Sequence, residues 1–294
     1  MINPSALESA AAPEPVEISA PAVQRAPFVF ASPHSGSDYS AEFMAQTRLD
    51  LPALRQLEDA YVDELFAAAP ANGAPLLRAL FPRAFVDPNR EPYELDPRMF
   101  ADPLPAFANT TSDRVSGGLG TIARAVAAGG EIYAQKLRFS EAEWRIAEYY
   151  QPFHDALHDL LAATRERFGV AVLIDCHSMP SVGGPRDHDR GHERADIILG
   201  DRFGSSCAGR LIDGVEGVLA GLGYRVSRNV PYAGGYSTEH YGRPQDGVHA
   251  LQIEINRALY MDERRVRRHR GMNRVVKDMT ALVAAVIAFD VGAF

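Results

Sequence analysis

The strongest constraint on this chain is the apolar run Val170–Cys176, which ends directly on His177. A run of this kind, without polar alternation, is the pattern of a strand covered on both faces, as in sheets flanked by helices. A second run, Pro27-Phe28-Val29-Phe30-Ala31, passes through Ser32-Pro33 to His34, and a third, Ala250 to Asn256, carries Glu254 inside it. In an open α/β sheet, ligands bind in the crevice at the carboxyl ends of the parallel strands. Two histidines and a carboxylate delivered to that edge suit a metal-dependent hydrolase.

The rest of the chain is consistent with such a sheet. Pro75–Leu80, Ala84–Val86, Ala195–Leu199 and Arg225–Ser227 read as further strands. Leu54, Leu57, Tyr61 and Leu65 recur at spacings of three and four and predict a helix over Leu54–Ala69. Ser140 to Glu143 has the form of a capping box opening a long helix to Gly169, with a kink or break at Pro152. Helices are also expected over about 205–222 and 262–289. Alternating strands and helices predict an α/β fold over residues 27–294, a single domain with a mixed, mostly parallel central sheet flanked by helices. Residues 1–26, rich in Ala and Pro, read as a flexible arm. Gly117 to Gly120 lacks the context of a phosphate-binding fingerprint and reads as a flexible loop.

Composition excludes some classes of partner. A net charge of -8 over 294 residues argues against a general nucleic-acid binder. No apolar run approaches the roughly 20 residues of a membrane helix, so no membrane partner is expected. The N-terminus lacks a basic segment followed by an apolar one, and a cytoplasmic location is the expectation. Cys176 and Cys207 are too few for a disulfide framework and read as buried thiols.

Several side chains are candidates for chemistry. His34 and His177 both stand at strand ends in His-Ser pairs, and Asp175 is placed to orient an imidazole. A carboxylate ligand would complete a catalytic zinc site, and Asp38, Asp59 and Asp63 are the candidates. On a helix, Asp59 and Asp63 would project from one face. Glu254, alternating with Ile253 and Ile255, is placed for a general base. Arg90, between two prolines, and Arg243, in a Gly/Tyr-rich loop, are candidates for binding a substrate carboxylate. His154 and His158 have metal-ligand spacing, but Phe153 and Leu157 beside them mark a packing face. The stretch from Arg186 to His192 reads as a solvated loop.

Six segments, in order, resemble the N-formylglutamate amidohydrolase family across residues 28–265. They are Ser32-Pro33-His34-Ser35-Gly36, Asp59 to Leu65, Val86-Asp87-Pro88-Asn89-Arg90, Leu173 to Ser178, Ala195 to Asp201, and Gln252 to Arg257. The resemblance implies a zinc-exopeptidase-like (phosphorylase/hydrolase-like) fold related to the zinc carboxypeptidases. It implies hydrolysis of N-formyl-L-glutamate, a small acidic substrate, to formate and L-glutamate, on a histidine-degradation route. It also implies a zinc ion, His34 and His177 as ligands, Glu254 as general base, and Asn89-Arg90 as a carboxylate-binding pair. The chain departs from the carboxypeptidase pattern at Ser37, where a glutamate ligand would stand, and Asp63 is taken over Asp59 as the third ligand. The alternatives are a deacylase or amidase for other N-acyl amino acids or small peptides, and a non-catalytic relative that only binds them.

Overall fold

A computed structural model of the chain describes residues 14–126, 130–185 and 187–290. Its main sheet is built from β1 (Val16–Ser19), β2 (Phe28–Ser32), β3 (Leu76–Ala79), β4 (Ala171–Met179), β5 (Ile197–Gly200), β6 (Val226–Arg228) and β7 (Val248–Asn256). Their spatial order is β1-β3-β2-β4-β7-β5-β6. The β2/β3, β2/β4, β4/β7 and β5/β6 pairs are parallel, while β1/β3 and β5/β7 are antiparallel. The sheet is therefore mixed and mostly parallel, with helices on both faces.

Helix Gln151–Phe168 covers one face, with Phe153, Leu157 and Leu161 packed in the same cluster as Val29, Ala31, Leu173 and Ala250. Helices Gly209–Gly221 and Met272–Ile287 cover the other through Leu211, Val215, Val275, Met279 and Leu282, against Phe28, Phe30, Ile174 and Ile253. Alternate residues of each central strand thus feed opposite layers of core, which is why β4 is buried along its whole length. Among the described residues no helix is long and apolar enough to cross a membrane.

After β2 the chain turns to β3 on one side, whereas after β4 it goes to β5, β6 and β7 on the other. The carboxyl ends of β2 and β4 therefore flank the point where strand order reverses, and a crevice opens there.

Four differences from the sequence reading have physical causes. The helix expected over Leu54–Ala69 is broken into Leu51–Leu54, a 3-10 turn Arg55–Leu57, and the short turns Val62–Leu65 and Ala69–Asn72. Between them Asp59 donates its backbone N–H to His34 O (3.0 Å), and Tyr61 takes the left-handed conformation (φ 69°). Tertiary contact with the His34 loop overrides helical periodicity here. Second, the long helix begins at Phe139, capped by Asp102 Oδ1 on Phe139 N (2.9 Å) rather than by Ser140. A widened π turn, Ile146–Tyr150, accommodates the Pro152 ring. Third, β1 pairs with β3, so the arm expected over 1–26 is ordered from at least Val16; residues 1–13 lie outside the described residues. Fourth, Ala84–Val86 forms a turn rather than a strand, and residues 261–268 form a small two-stranded ribbon before the last helix.

Candidate active site

In the register of β4 against β7, Asp175 pairs with Gln252 and His177 with Glu254. All four side chains lie on one face of the sheet, the face that is apolar further down at Leu173 and Ala250. His34 enters from the turn after β2. Gly36 makes that turn possible, since a Cβ there would fall 2.2 Å from Phe81 O. The kink before Tyr61 adds Asp59.

His34, Asp59 and His177 form a buried group whose ligand-competent atoms all lie within 4.8 Å of one another. Asp59 Oδ2 is 3.2 Å from His34 Nδ1 and 2.9 Å from His177 Nδ1. On its far side, His34 Nε2 donates to Asp87 Oδ1 at 2.6 Å, and His177 Nε2 lies 2.9 Å from Asp175 Oδ1. Asp87 accepts the His34 Nε2 proton and so turns Nδ1 of that ring toward Asp59; His177 presents its own Nδ1 to the same oxygen, with its Nε2 near both Asp175 Oδ1 and Asn89 Nδ2. Two imidazole nitrogens and a carboxylate oxygen thus converge in a buried pocket, with further acids and amides behind the rings to orient them. The donor set therefore fits one divalent metal ion.

The charges around this group are balanced in detail. Burial alone would raise the Asp59 carboxyl, but His177, His34 and Arg83 outweigh it and hold it well below the usual range. Arg257 Nη2 binds Asp59 Oδ1 at 2.8 Å, and Arg83 Nη1 is 3.6 Å from the same oxygen. Burial likewise opposes ionisation of Asp87, yet Arg83, His34 and Arg90 keep it well below its ordinary value. Burial disfavours the charged form of His177, but Asp175, Asp59 and Glu254 push it well above its ordinary value.

Glu254 differs from these acids. Burial dominates, opposed by His177 and assisted by the charge of Asp59, and its carboxyl is pushed up to about 7. It accepts a hydrogen bond from Gln252 Nε2 (3.0 Å), while Gln252 Oε1 accepts from Gly235 N (2.7 Å). A buried carboxyl that titrates near neutrality beside a metal-competent cluster is suited to proton transfer.

These residues open into a cleft of about 480 Å³, lined also by Asn89, Tyr232, Asp187 and, among the described residues, five arginines: Arg83, Arg90, Arg114, Arg202 and Arg257. A chain that is acidic overall thus has a cationic cleft, which suits an acidic ligand.

The structure brings His34, His177, Glu254, Asn89 and Arg90 together, and separates the rest. Asp63, taken from the sequence as the carboxylate ligand, is instead paired with Arg78 Nη1 (2.8 Å), outside the cleft. The helical spacing that put it level with Asp59 does not exist. Asp38 is exposed near Asp63. Arg243 is also placed elsewhere: it is exposed and donates to Glu239 O and Gly242 O, at the end of a surface helix. Asn89 lines the cleft with its amide engaged, its Oδ1 accepting from Ser237 N (2.8 Å) and its Nδ2 3.0 Å from His177 Nε2.

His154 braces the site from behind. Its Nε2 donates to Pro88 O (2.8 Å), its Nδ1 accepts from Tyr241 Oη (2.9 Å), and burial pushes its pKa down to about 4. Of the loop read as solvated, Arg186 lies outside the described residues, and Asp187 reaches the cleft rim, held by Arg194 Nη2 at 2.6 Å. Arg83 and Arg257 were not anticipated. The only local signals were the four-residue spacing of Arg83 to Asp87 and the position of Arg257 just beyond β7.

A buried two-histidine, one-carboxylate group beside a raised carboxyl at the carboxyl edge of an α/β sheet fits the class of metal-dependent hydrolases. The family model for N-formylglutamate amidohydrolase matches residues 26–261, and the chain belongs to that family. It is 30% identical to the N-formylglutamate deformylases of Pseudomonas aeruginosa and Pseudomonas putida. Each alignment covers 81% of this chain, and respectively 84% and 83% of the relative. The crystal structure of N-formylglutamate amidohydrolase from Ralstonia eutropha superposes with a TM-score of 0.84 at 36% identity, covering 92% of this chain and 96% of that one.

Proposed function

We propose that this chain hydrolyses the formamide C–N bond of N-formyl-L-glutamate, releasing formate and L-glutamate. The observation that carries the reading is the His34–Asp59–His177 cluster with Glu254 alongside, in a cationic cleft of a chain whose relatives bear that activity in their names. The fold is read in finer detail as zinc-exopeptidase-like, and the ion as zinc. A divalent cation held by these three side chains supplies Lewis acidity for amide hydrolysis.

The protein's own groups do the remaining work. Glu254 accepts the proton of the attacking water and delivers it to the amine nitrogen as the C–N bond breaks. Its raised pKa, about 7, matches both halves of that task at neutral pH. Gln252 fixes the carboxylate in position. Asp87 and Asp175 hold the two imidazoles, and Arg257 holds the Asp59 oxygen that does not face them. The cleft arginines orient the substrate carboxylates, so that attack starts from a near-reactive geometry.

The test is formate release from N-formyl-L-glutamate before and after chelation and zinc add-back, with N-acetyl-L-glutamate in parallel. Metal-restored, formyl-selective release is expected. Turnover of the acetyl compound alone would keep the chemistry and discard the substrate. Turnover of neither by zinc-loaded protein would overturn the reading.

A further inference from the structure

The five cleft arginines divide into two groups. Arg83 is paired with Asp87 (2.7 Å), Arg257 with Asp59 (2.8 Å) and Arg202 with Glu239 (2.8 Å). Arg90 and Arg114 are not neutralised in this way. Arg90 donates from Nε to Leu119 O and from Nη1 to Asn89 O, both at 2.9 Å. Its nearest carboxylate oxygen, Asp87 Oδ2, is 3.7 Å from Nε and already bound to Arg83. Arg114 lines the cleft, half-buried, and its guanidinium has no hydrogen-bond or ion-pair partner among the described residues.

The loop after the short helix Asp113–Gly117 links the two positions. Leu119 N–H donates to Arg114 O (2.8 Å), while Leu119 O accepts from Arg90 Nε, so a single residue ties the two arginines together. The loop is not the flexible linker its glycines suggested. Gly120 is pressed so closely on Glu94 that a Cβ would fall 2.1 Å from Glu94 O, and Thr121 N–H donates to that same carbonyl. Burial, with the neighbouring charges of Arg114 and Arg83, brings the Arg90 pKa down to about 10 against the pull of Asp87. Two guanidinium groups lining one cleft, Arg90 with only an Asp87 carboxylate already bound to Arg83 and Arg114 unpaired, form a site for an anion, and guanidinium groups match a carboxylate in geometry as well as charge.

We infer that Arg114 and Arg90 form a subsite for the second carboxylate of the substrate, and that this pair selects dicarboxylic acyl amino acids over their neutral amides. The inference rests on the hydrolase reading and assigns a specificity residue within it. Arg114 takes the place that Arg243 was expected to fill.

The decisive measurement is the ratio of kcat/KM for N-formyl-L-glutamate to that for N-formyl-L-glutamine, in the zinc-loaded wild type, Arg114→Gln and Arg114→Lys. A charge-assisted contact of this kind predicts that the ratio falls roughly 10- to 100-fold in Arg114→Gln and recovers in part in Arg114→Lys. An unchanged ratio, or equal losses on both substrates, would overturn the subsite. Calorimetry with glutarate and its monoamide reads the same selectivity without turnover. Loss of glutarate preference in Arg114→Gln, in a protein whose wild type cleaves neither formyl compound, would keep the subsite and sink the hydrolase reading. Glutarate preference retained in Arg114→Gln would sink the subsite alone.

Discussion

The two halves of β4 share one backbone conformation, the same parallel pairing with β7 and complete burial, yet opposite chemistry occupies them. On one face of the sheet, Ala171 and Leu173 with Ala250 pack under helix Gln151–Phe168. Two residues further along the same face stand Asp175 and His177 with Gln252 and Glu254. The apolar half gains free energy as it is buried. The polar half must recover desolvation through paired charges, and unpaired ionised groups there would cost several kcal/mol each. The apolar end anchors the strand in the core, and the polar end brings the charged groups to the cleft. Compensation at the reactive end is incomplete at Glu254, the acid pushed up to about 7 while Asp59 and Asp87 are held low.

The largest effect is expected at Glu254. Glu254→Gln is expected to keep the metal and lower kcat by roughly 10²–10⁴-fold. Metal content and steady-state rates on one preparation check this, and near-normal turnover would remove Glu254 from the role. At the other end, Leu173→Ala is expected to cost about 2–5 kcal/mol of stability by leaving a cavity. Denaturant unfolding measures that cost, and kcat per folded molecule should change far less than in Glu254→Gln.

The titration of Glu254 sharpens the contrast in metal-free protein. A carboxyl raised in the fold from 4.5 to about 7 stabilises the native state fully below 4.5. That contribution is lost as pH rises toward and past 7. The stability of Glu254→Gln minus that of wild type should therefore increase with pH across that window, and unfolding at pH 4.5, 6 and 7.5 would show it. A flat difference would mean that the carboxyl is not raised.

A smaller effect is expected one position back along the polar half. Asp175→Asn leaves His177 Nε2 without its carboxylate and should weaken metal binding by roughly 10–100-fold, read by competition with a chelating dye. The smallest effect belongs to Arg243, outside the cleft. Arg243→Ala should shift stability by no more than about 0.5 kcal/mol and leave kcat/KM unchanged. A large loss of activity in that variant would return Arg243 to the site.

Much of the polar edge was legible before folding. His34, His177 and Glu254 each stand at or inside an apolar run, and the strands that present them follow from unbroken hydrophobic stretches and period-two alternation. These signals are local, because the strands are buried on both faces and their residues report that directly. Asp59 was not legible as the third member. Leu54, Leu57, Tyr61 and Leu65 carry a helical period, but the segment is broken where Asp59 N–H binds His34 O. That contact spans 25 residues and no spacing announces it.

The same division holds across the molecule. The chain by itself determined an α/β sheet, the face each strand residue takes and the end of the sheet where chemistry collects. Local propensity and hydrophobic period act over a few residues and leave their mark in the sequence. Tertiary structure alone decided that Asp59 rather than Asp63 meets the histidines, that Asp102 caps a helix 37 residues away, and that Arg114 rather than Arg243 lines the cleft. The first two outcomes depend on the free energy of pairing a buried charge or an unsatisfied backbone group with whatever the fold brings within about 3 Å, and the third on where the chain is routed, so all three are set by topology.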